Sequence, residues 1–262
     1  MHPIFLDLGF LQIRWYGLMY ALGLLAGIKM ILTELKRRKI NYNEDQIFNI
    51  IMSGFIGALI FARLYYVIFS FDIYRDNLWE ILAVWHGGLA IHGGIIGGVL
   101  FGYLACKFYK IKPWLFADVV TPAALLGQAL GRFGNLMNGD AHGTATNMLW
   151  GLVFAPGTPA YMEHGLQPSH PTMIYEMLLN LFFFAILYKL QKGQYKNGFI
   201  FCMYLIFYSI GRFIVSFFRA DDLYLLGLNL PHLVSIVLIC GGFYFILRYQ
   251  LHKPEVLNDR DK

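Results

Sequence analysis

Seven apolar runs, each close to the length that crosses a bilayer, constrain this chain more than any other feature. A hydrocarbon core about 30 Å thick needs about 20 apolar helical residues to span it. Within that core only helices or closed barrels satisfy every backbone polar group. The runs fall at about Leu11–Leu32, Ile47–Ser70, Leu89–Tyr109, Leu115–Leu136, Thr172–Leu190, Gly198–Phe218 and Leu230–Tyr249. They predict an all-α integral membrane protein of seven transmembrane helices, in a single polytopic domain over residues 1–262. Only 14% of the residues are charged, against about 25% in a soluble domain, which excludes the soluble class. The start has no basic stretch, so no cleavable signal peptide is expected. Cys106, Cys202 and Cys240 lie scattered in apolar runs without CxxC spacing, and predict no disulfide framework and no metal site.

The net charge of +5 would suit nucleic acid if it were clustered, but its distribution reads as topology. Lys29, Lys36, Arg37, Arg38, Lys39, Lys107, Lys110, Lys112, Lys189, Lys192, Lys196, Arg248, Lys253, Arg260 and Lys262 all fall in alternate connections, the span ends abutting them, or the C-terminal tail. The positive-inside rule puts these in the cytoplasm, with the N-terminus outside and the C-terminus inside. The run Lys36–Lys39 (KRRK) is then a topology anchor and not a nucleic-acid patch. The two sizeable outer pieces are a cap at about 137–171, rich in Pro and Gly, and an aromatic segment at about 71–85. The second is expected to lie in the interface with Tyr74, Trp79 and Trp85.

The basic residues left over are Arg14, Arg63, Arg75, Arg132, Arg212 and Arg219, with no lysine among them. Topology would accept either residue, whereas forked recognition of phosphate favours arginine. Snorkelling to head groups is the simpler reading for Arg14 and Arg75. At about 1.5 Å rise per residue, Tyr16, Arg63, His92, Arg132, Asn135, Asn138, Asp140, Tyr175, Glu176 and Arg212 fall within roughly 10–15 Å of one depth. Ionisable groups at membrane depth are costly and point to function. For Asp140 and Glu176 the preferred reading is charge partnership with an arginine. Gly97, Gly98 and Gly102 read as helix packing. Gly87–Gly88 and Gly93–Gly94 admit a second reading, as backbone near a bulky ligand with N–H groups toward an anion. Together these features describe an anion site facing the outer leaflet, where a phospholipid head group is the ligand at hand. Cutting, transferring and binding all remain open, and a lipid or anion transporter is the rival. No GxSG nucleophile motif or DxxDG metal motif supports a protease or a phosphatidyltransferase.

Five stretches carry a resemblance: Arg14–Tyr20 (RWYGLMY), Trp85–Gly94 (WHGGLAIHGG), Gly131–Gly143 (GRFGNLMNGDAHG), His170-Pro171 with Tyr175-Glu176, and Arg212–Arg219. In these, along nearly its whole length, the chain resembles the bacterial prolipoprotein diacylglyceryl transferases, and Gly131–Gly143 is similar to the family signature GRxGNFxNxE/DxxG. The resemblance implies transfer of diacylglyceryl from phosphatidylglycerol to the lipobox cysteine of a lipoprotein precursor, with formation of a thioether and release of glycerol phosphate. It implies His92 as base and Arg132 and Arg212 on the departing phosphate. Tyr16, Arg63, Asn135, Asn138, Asp140, Gly143, Tyr175 and Arg219 are the implied substrate-binding residues. Membrane lipid and lipobox precursors are the implied partners, with no nucleic acid, no cofactor and no metal, in the bacterial inner membrane. The chain departs from the pattern at Asp140 and at Ser216, where many members carry Glu, so a role for an acid at 216 does not transfer.

Overall fold

The computed structural model describes residues 2–9, 12–225 and 227–254. Seven helices among them are long and apolar enough to cross a membrane: α1 (Trp15–Arg37), α2 (Glu44–Phe69), α3 (Ile91–Phe108), α4 (Pro113–Asn138), α6 (Thr172–Leu190), α7 (Phe199–Ser216) and α8 (Leu230–Arg248). The protein is thus an all-α, multi-pass membrane protein. A short α5 (Pro159–His164) lies in the 137–171 connection. The helix ends differ from the expected ones by a few residues, most for α1. The expected first position, Leu11, lies outside the described residues. Gln12–Arg14 forms β2, which pairs antiparallel with β1 (Ile4–Asp7), so α1 begins only at Trp15. The Asp7 carboxylate closes this hairpin by accepting from the Gly9 N–H and the Gln12 amide.

The chain divides into two compact units, 1–31 with 117–262, and 32–116. In the larger unit Leu125, Phe183, Leu187, Ile200, Ile206 and Ile246 form the core among α4, α6, α7 and α8. The helix α1 meets α4 where Gly23 faces Gly127. Pro122 interrupts α4 and cannot donate to the carbonyl of Asp118. Gln191 repairs the gap, its side-chain amide donating to Asp118 O at 3.1 Å. The Asp118 carboxylate accepts from the N–H groups of Gly198 and Phe201 at 2.7 and 2.9 Å and so caps the start of α7.

In the smaller unit α2 and α3 run in close contact. A Cβ on Gly97 would stand 2.2 Å from the Gly57 carbonyl, and one on Gly93 2.2 Å from the Phe61 carbonyl. Packing therefore explains Gly93 as well as Gly97. Gly98 lies in ordinary contact with Ala58, while Gly102 faces open space. The segment after α2 is a series of 3₁₀ turns. The interfacial reading of this segment expects exposed aromatic side chains, and Trp79 and Trp85 are 80% and 76% exposed. Tyr74 departs from that expectation: it is buried, with the Arg63 guanidinium 5.1 Å above its ring.

Candidate functional site

The stretch Gly131–Gly143 runs from the last turns of α4 through a tight reversal into the cap. Gly139 and Ala141 take positive φ angles of 73° and 54°, which fold Asp140 back over α4. Its carboxylate then accepts from the Tyr16 hydroxyl at 2.7 and 2.8 Å and from the Asn135 amide at 2.9 Å. Tyr16 reaches this point because residue 134 is glycine, where a Cβ would stand 2.8 Å from its ring. The expectation that Asp140 pairs with an arginine is therefore corrected: its partners are a phenol and an amide. The third member, Asn135, accepts from Arg132 Nη1 at 3.3 Å and so links this knot to the arginines.

Glu176, near the start of α6, is the hub of those arginines, as the charge-partner reading required. Its side chain is 7% exposed. It contacts Arg132 Nη2, accepts from Arg219 Nη1 at 2.7 Å, and stands 3.7 Å from Arg212 Nη1. These arginines come from the end of α4, the end of α7 and the residues just after it. Asp221 takes the other edge of Arg219 at 2.6 and 2.8 Å. Burial opposes ionisation of Asp221, but the hydrogen bond and charge of Arg219 outweigh it and hold the carboxyl below its usual range. Burial also opposes the charge on Arg219. Its carboxylate partners outweigh this, and the guanidinium stays charged. Asp222 takes Arg212 Nη2 at 2.5 Å. Arg212 Nη1 is buried and makes no hydrogen bond among the described residues. An unmet buried donor costs about 1–3 kcal/mol, so this nitrogen is well placed to receive a ligand oxygen. Beside the cluster lies an apolar cavity of about 530 Å³ lined by Trp150, Tyr175, Leu179, Ile214, Val215 and Phe218, among others.

The remaining expected residues are placed differently. Arg63 and His92 belong to the smaller unit. The Arg63 guanidinium donates to the carbonyls of Ile81 (2.9 Å), Gly87 (2.5 Å) and Gly88 (3.1 Å), and contacts those of Glu80 and Ala83. It is a clamp on its own chain, with its donors committed. The same contacts correct the reading of Gly87–Gly88, whose carbonyls and not N–H groups face the charge. The Gly94 N–H is likewise committed, to the Ala90 carbonyl. His92, in the first turn of α3, is exposed, and its ring has no hydrogen-bond partner among the described residues; Tyr65 lies 6.1 Å away. Asn138 ends α4, and its amide too is unpartnered among the described residues. The Tyr175 hydroxyl accepts from Trp150 at 2.8 Å and meets His170 at 3.1 Å, so it ties the cap to α6. Gly143 has a packing reason: a Cβ there would stand 2.4 Å from the Phe218 carbonyl and 2.6 Å from His170 Cβ.

Sequence reasoning missed Asp221 and Asp222. The signal available was a pair of acids two and three residues after Arg219 in a chain poor in acids. Asp222 also contacts the Ser216 hydroxyl, so a carboxylate stands beside position 216 although that residue is not itself acidic. For a metal, the described residues offer His142, Glu163 and His164, whose ligand atoms lie within 4.8 Å of one another. These side chains already serve the cap, with His142 on Glu163 at 2.9 Å and His164 on the Gly143 carbonyl at 3.0 Å.

Fold and site together define the class: a multi-pass membrane protein that gathers three arginines around a buried glutamate where α4 and α7 end and α6 begins. The family model for prolipoprotein diacylglyceryl transferase matches residues 3–248. A phosphatidylglycerol–prolipoprotein diacylglyceryl transferase of Fusobacterium nucleatum is 38% identical over 94% of this chain and 97% of its own length. Proteins of the same name from Clostridium botulinum (39%, over 97% and 99%) and Staphylococcus xylosus (40%, over 94% and 88%) are similar throughout. The chain belongs to the prolipoprotein diacylglyceryl transferase family and, with it, to the transferases.

Proposed function

We propose that this protein transfers diacylglyceryl from phosphatidylglycerol to the lipobox cysteine of lipoprotein precursors, at the outer leaflet of the bacterial inner membrane. The observation that carries the reading is the unmet Arg212 Nη1 donor, buried within a cluster of arginines in a chain of this family. The reaction forms a carbon–sulfur bond and breaks the bond between glycerol carbon and phosphate oxygen. The thiol loses its proton and glycerol phosphate leaves with the bonding pair. A free thiol has a pKa of about 8.5, so it needs a base or a positive field. His92, whose ring is uncommitted, is the proposed base. The negative charge that develops on the leaving phosphate needs donors already in place, a role assigned to Arg132 and Arg212. Asp140, Asn135 and Tyr16 hold Arg132 in orientation and present a polar edge to the head group. The apolar cavity beside Tyr175 suits an acyl chain.

The test is purified protein with phosphatidylglycerol vesicles and a lipobox peptide. Thioether product is expected, and its absence with active controls would refute the transferase reading. Arg132→Ala is expected to abolish turnover and His92→Ala to lower it severely. Near-normal turnover of His92→Ala would remove the base assignment and leave the anion site standing.

A further inference from the structure

We infer that Asp222 is a positioning residue for Arg212, and that it keeps one face of that guanidinium free for the phosphate. The inference rests on the assignment of Arg212 to the phosphate. Arg212 stands between two buried carboxylates. The carboxylate of Asp222, whose side chain is only 2% exposed, accepts from Nη2, while Glu176 stands at 3.7 Å from Nη1 without forming a hydrogen bond. Asp222 is itself held from several sides. The Ser216 hydroxyl contacts Oδ2, the Asn229 amide donates to the same oxygen at 3.1 Å, and Arg219 Nε lies 3.8 Å from Oδ1. Asn229 in turn caps the start of α8 through the His232 N–H at 3.1 Å. The carboxylate is therefore a fixed point tied to the end of α7 and the start of α8.

The physical consequence follows from competition. A guanidinium offers five N–H donors in a rigid fork. With Asp222 holding Nη2, the fork is turned so that Nη1 is left unmatched. Without that anchor, Glu176 is the nearest carboxylate, and a direct Arg212–Glu176 pair would use the donor that the phosphate needs. Asp222 thus sets the direction of Arg212 without touching the substrate. Position 216 lies one turn beyond Arg212 on the same face of α7. A carboxylate there can reach the same guanidinium, which provides a test that a purely structural role would fail.

Steady-state kinetics with phosphatidylglycerol vesicles and a lipobox peptide are measured for the wild type, Asp222→Asn, Arg212→Lys, the double variant of these two, and Asp222→Asn with Ser216→Glu. Asp222→Asn is expected to lower kcat/KM by about tenfold to a hundredfold, the scale of a misplaced positioning group, and also to lower the melting temperature, because one partner of a buried ion pair is removed, so the kinetics are read well below the variant's melting point. In the Arg212→Lys background the same change is expected to add little, because Asp222 acts through Arg212. Ser216→Glu is expected to restore most of the loss. Turnover of Asp222→Asn within twofold of wild type, full additivity with Arg212→Lys, or no recovery with Ser216→Glu would each overturn the inference. If Asp222→Asn does not fold, Asn229→Ala removes one of the groups that fix the carboxylate and should move kcat/KM in the same direction by a smaller factor; no change would count against the inference. An inactive wild type would instead refute the transferase reading, so the two failures are distinguishable.

Discussion

Glu176→Gln is the sharpest test of how the arginine cluster is held together. The substitution keeps size and one acceptor but removes the negative charge shared by Arg132, Arg212 and Arg219. A carboxylate and a guanidinium about 4 Å apart attract by about 4 kcal/mol at an effective dielectric of 20. Most of that gross energy is offset by desolvation. The net cost of removing one partner of a buried pair is about 3–5 kcal/mol, because a buried charge is left uncompensated. Here several guanidiniums are left facing one another, so the upper half of that range is expected. For a chain of this size, about 2–4 °C of melting temperature per kcal/mol gives a drop of roughly 8–20 °C. Thermal unfolding in detergent, followed by tryptophan fluorescence, reads it directly. Glu163→Gln is the control, since that acid is half exposed and, among the described residues, pairs with histidines and no arginine. Added glycerol phosphate should recover part of the loss, because an anion can take the carboxylate's place. A melting temperature within 2 °C of wild type, on the same scale, would refute the claim that Glu176 is the hub.

Four further outcomes follow from the same geometry. Arg63→Lys replaces a fork of five donors by three and leaves buried carbonyls unmet at about 1–3 kcal/mol each; amide exchange over residues 71–88 should quicken, and unchanged exchange would count against the clamp. Gly143→Ala places a Cβ 2.4 Å from the Phe218 carbonyl, where backbone cannot give way, so turnover should fall and proteolysis of the cap should rise. Asp118→Ala removes both acceptors at the start of α7 and should lower stability by about 1–3 kcal/mol in a melting experiment, with Asp118→Asn intermediate. The depressed Asp221 carboxyl contributes stability above its unfolded pKa of about 3.9, and this is lost as pH falls through the lower folded value. Asp221→Asn should therefore melt slightly below wild type at pH 7, and the gap should close below about pH 4. Asp221 is half exposed, so screening limits the gap to about 1 kcal/mol at most.

The one-dimensional pattern was sufficient for the spans. Apolar length against bilayer thickness locates each helix within a few residues, because water and lipid act on the chain locally. It erred at the start, where a hairpin formed from Ile4–Asp7 and Gln12–Arg14; pairing between strands is a contact that no local run displays. Depth was legible too, since a fixed rise per residue brings Arg132, Glu176 and Arg212 to one level. Direction around each helix axis, and the choice among partners, was not. Arg63 and Arg212 look alike in sequence, each an arginine near one end of an apolar run. The fold turns Arg63 onto backbone carbonyls of the segment that follows α2 and leaves Arg212 with an unmet donor between Glu176 and Asp222. Likewise Asp140 reads as an arginine partner until the left-handed turn at Gly139 and Ala141 carries it to Tyr16. The sequence alone determined which residues share a depth and how many helices carry them. Only the tertiary structure decided which charges neutralise one another, because a guanidinium's partner is set by the few ångströms and the rotation that packing imposes.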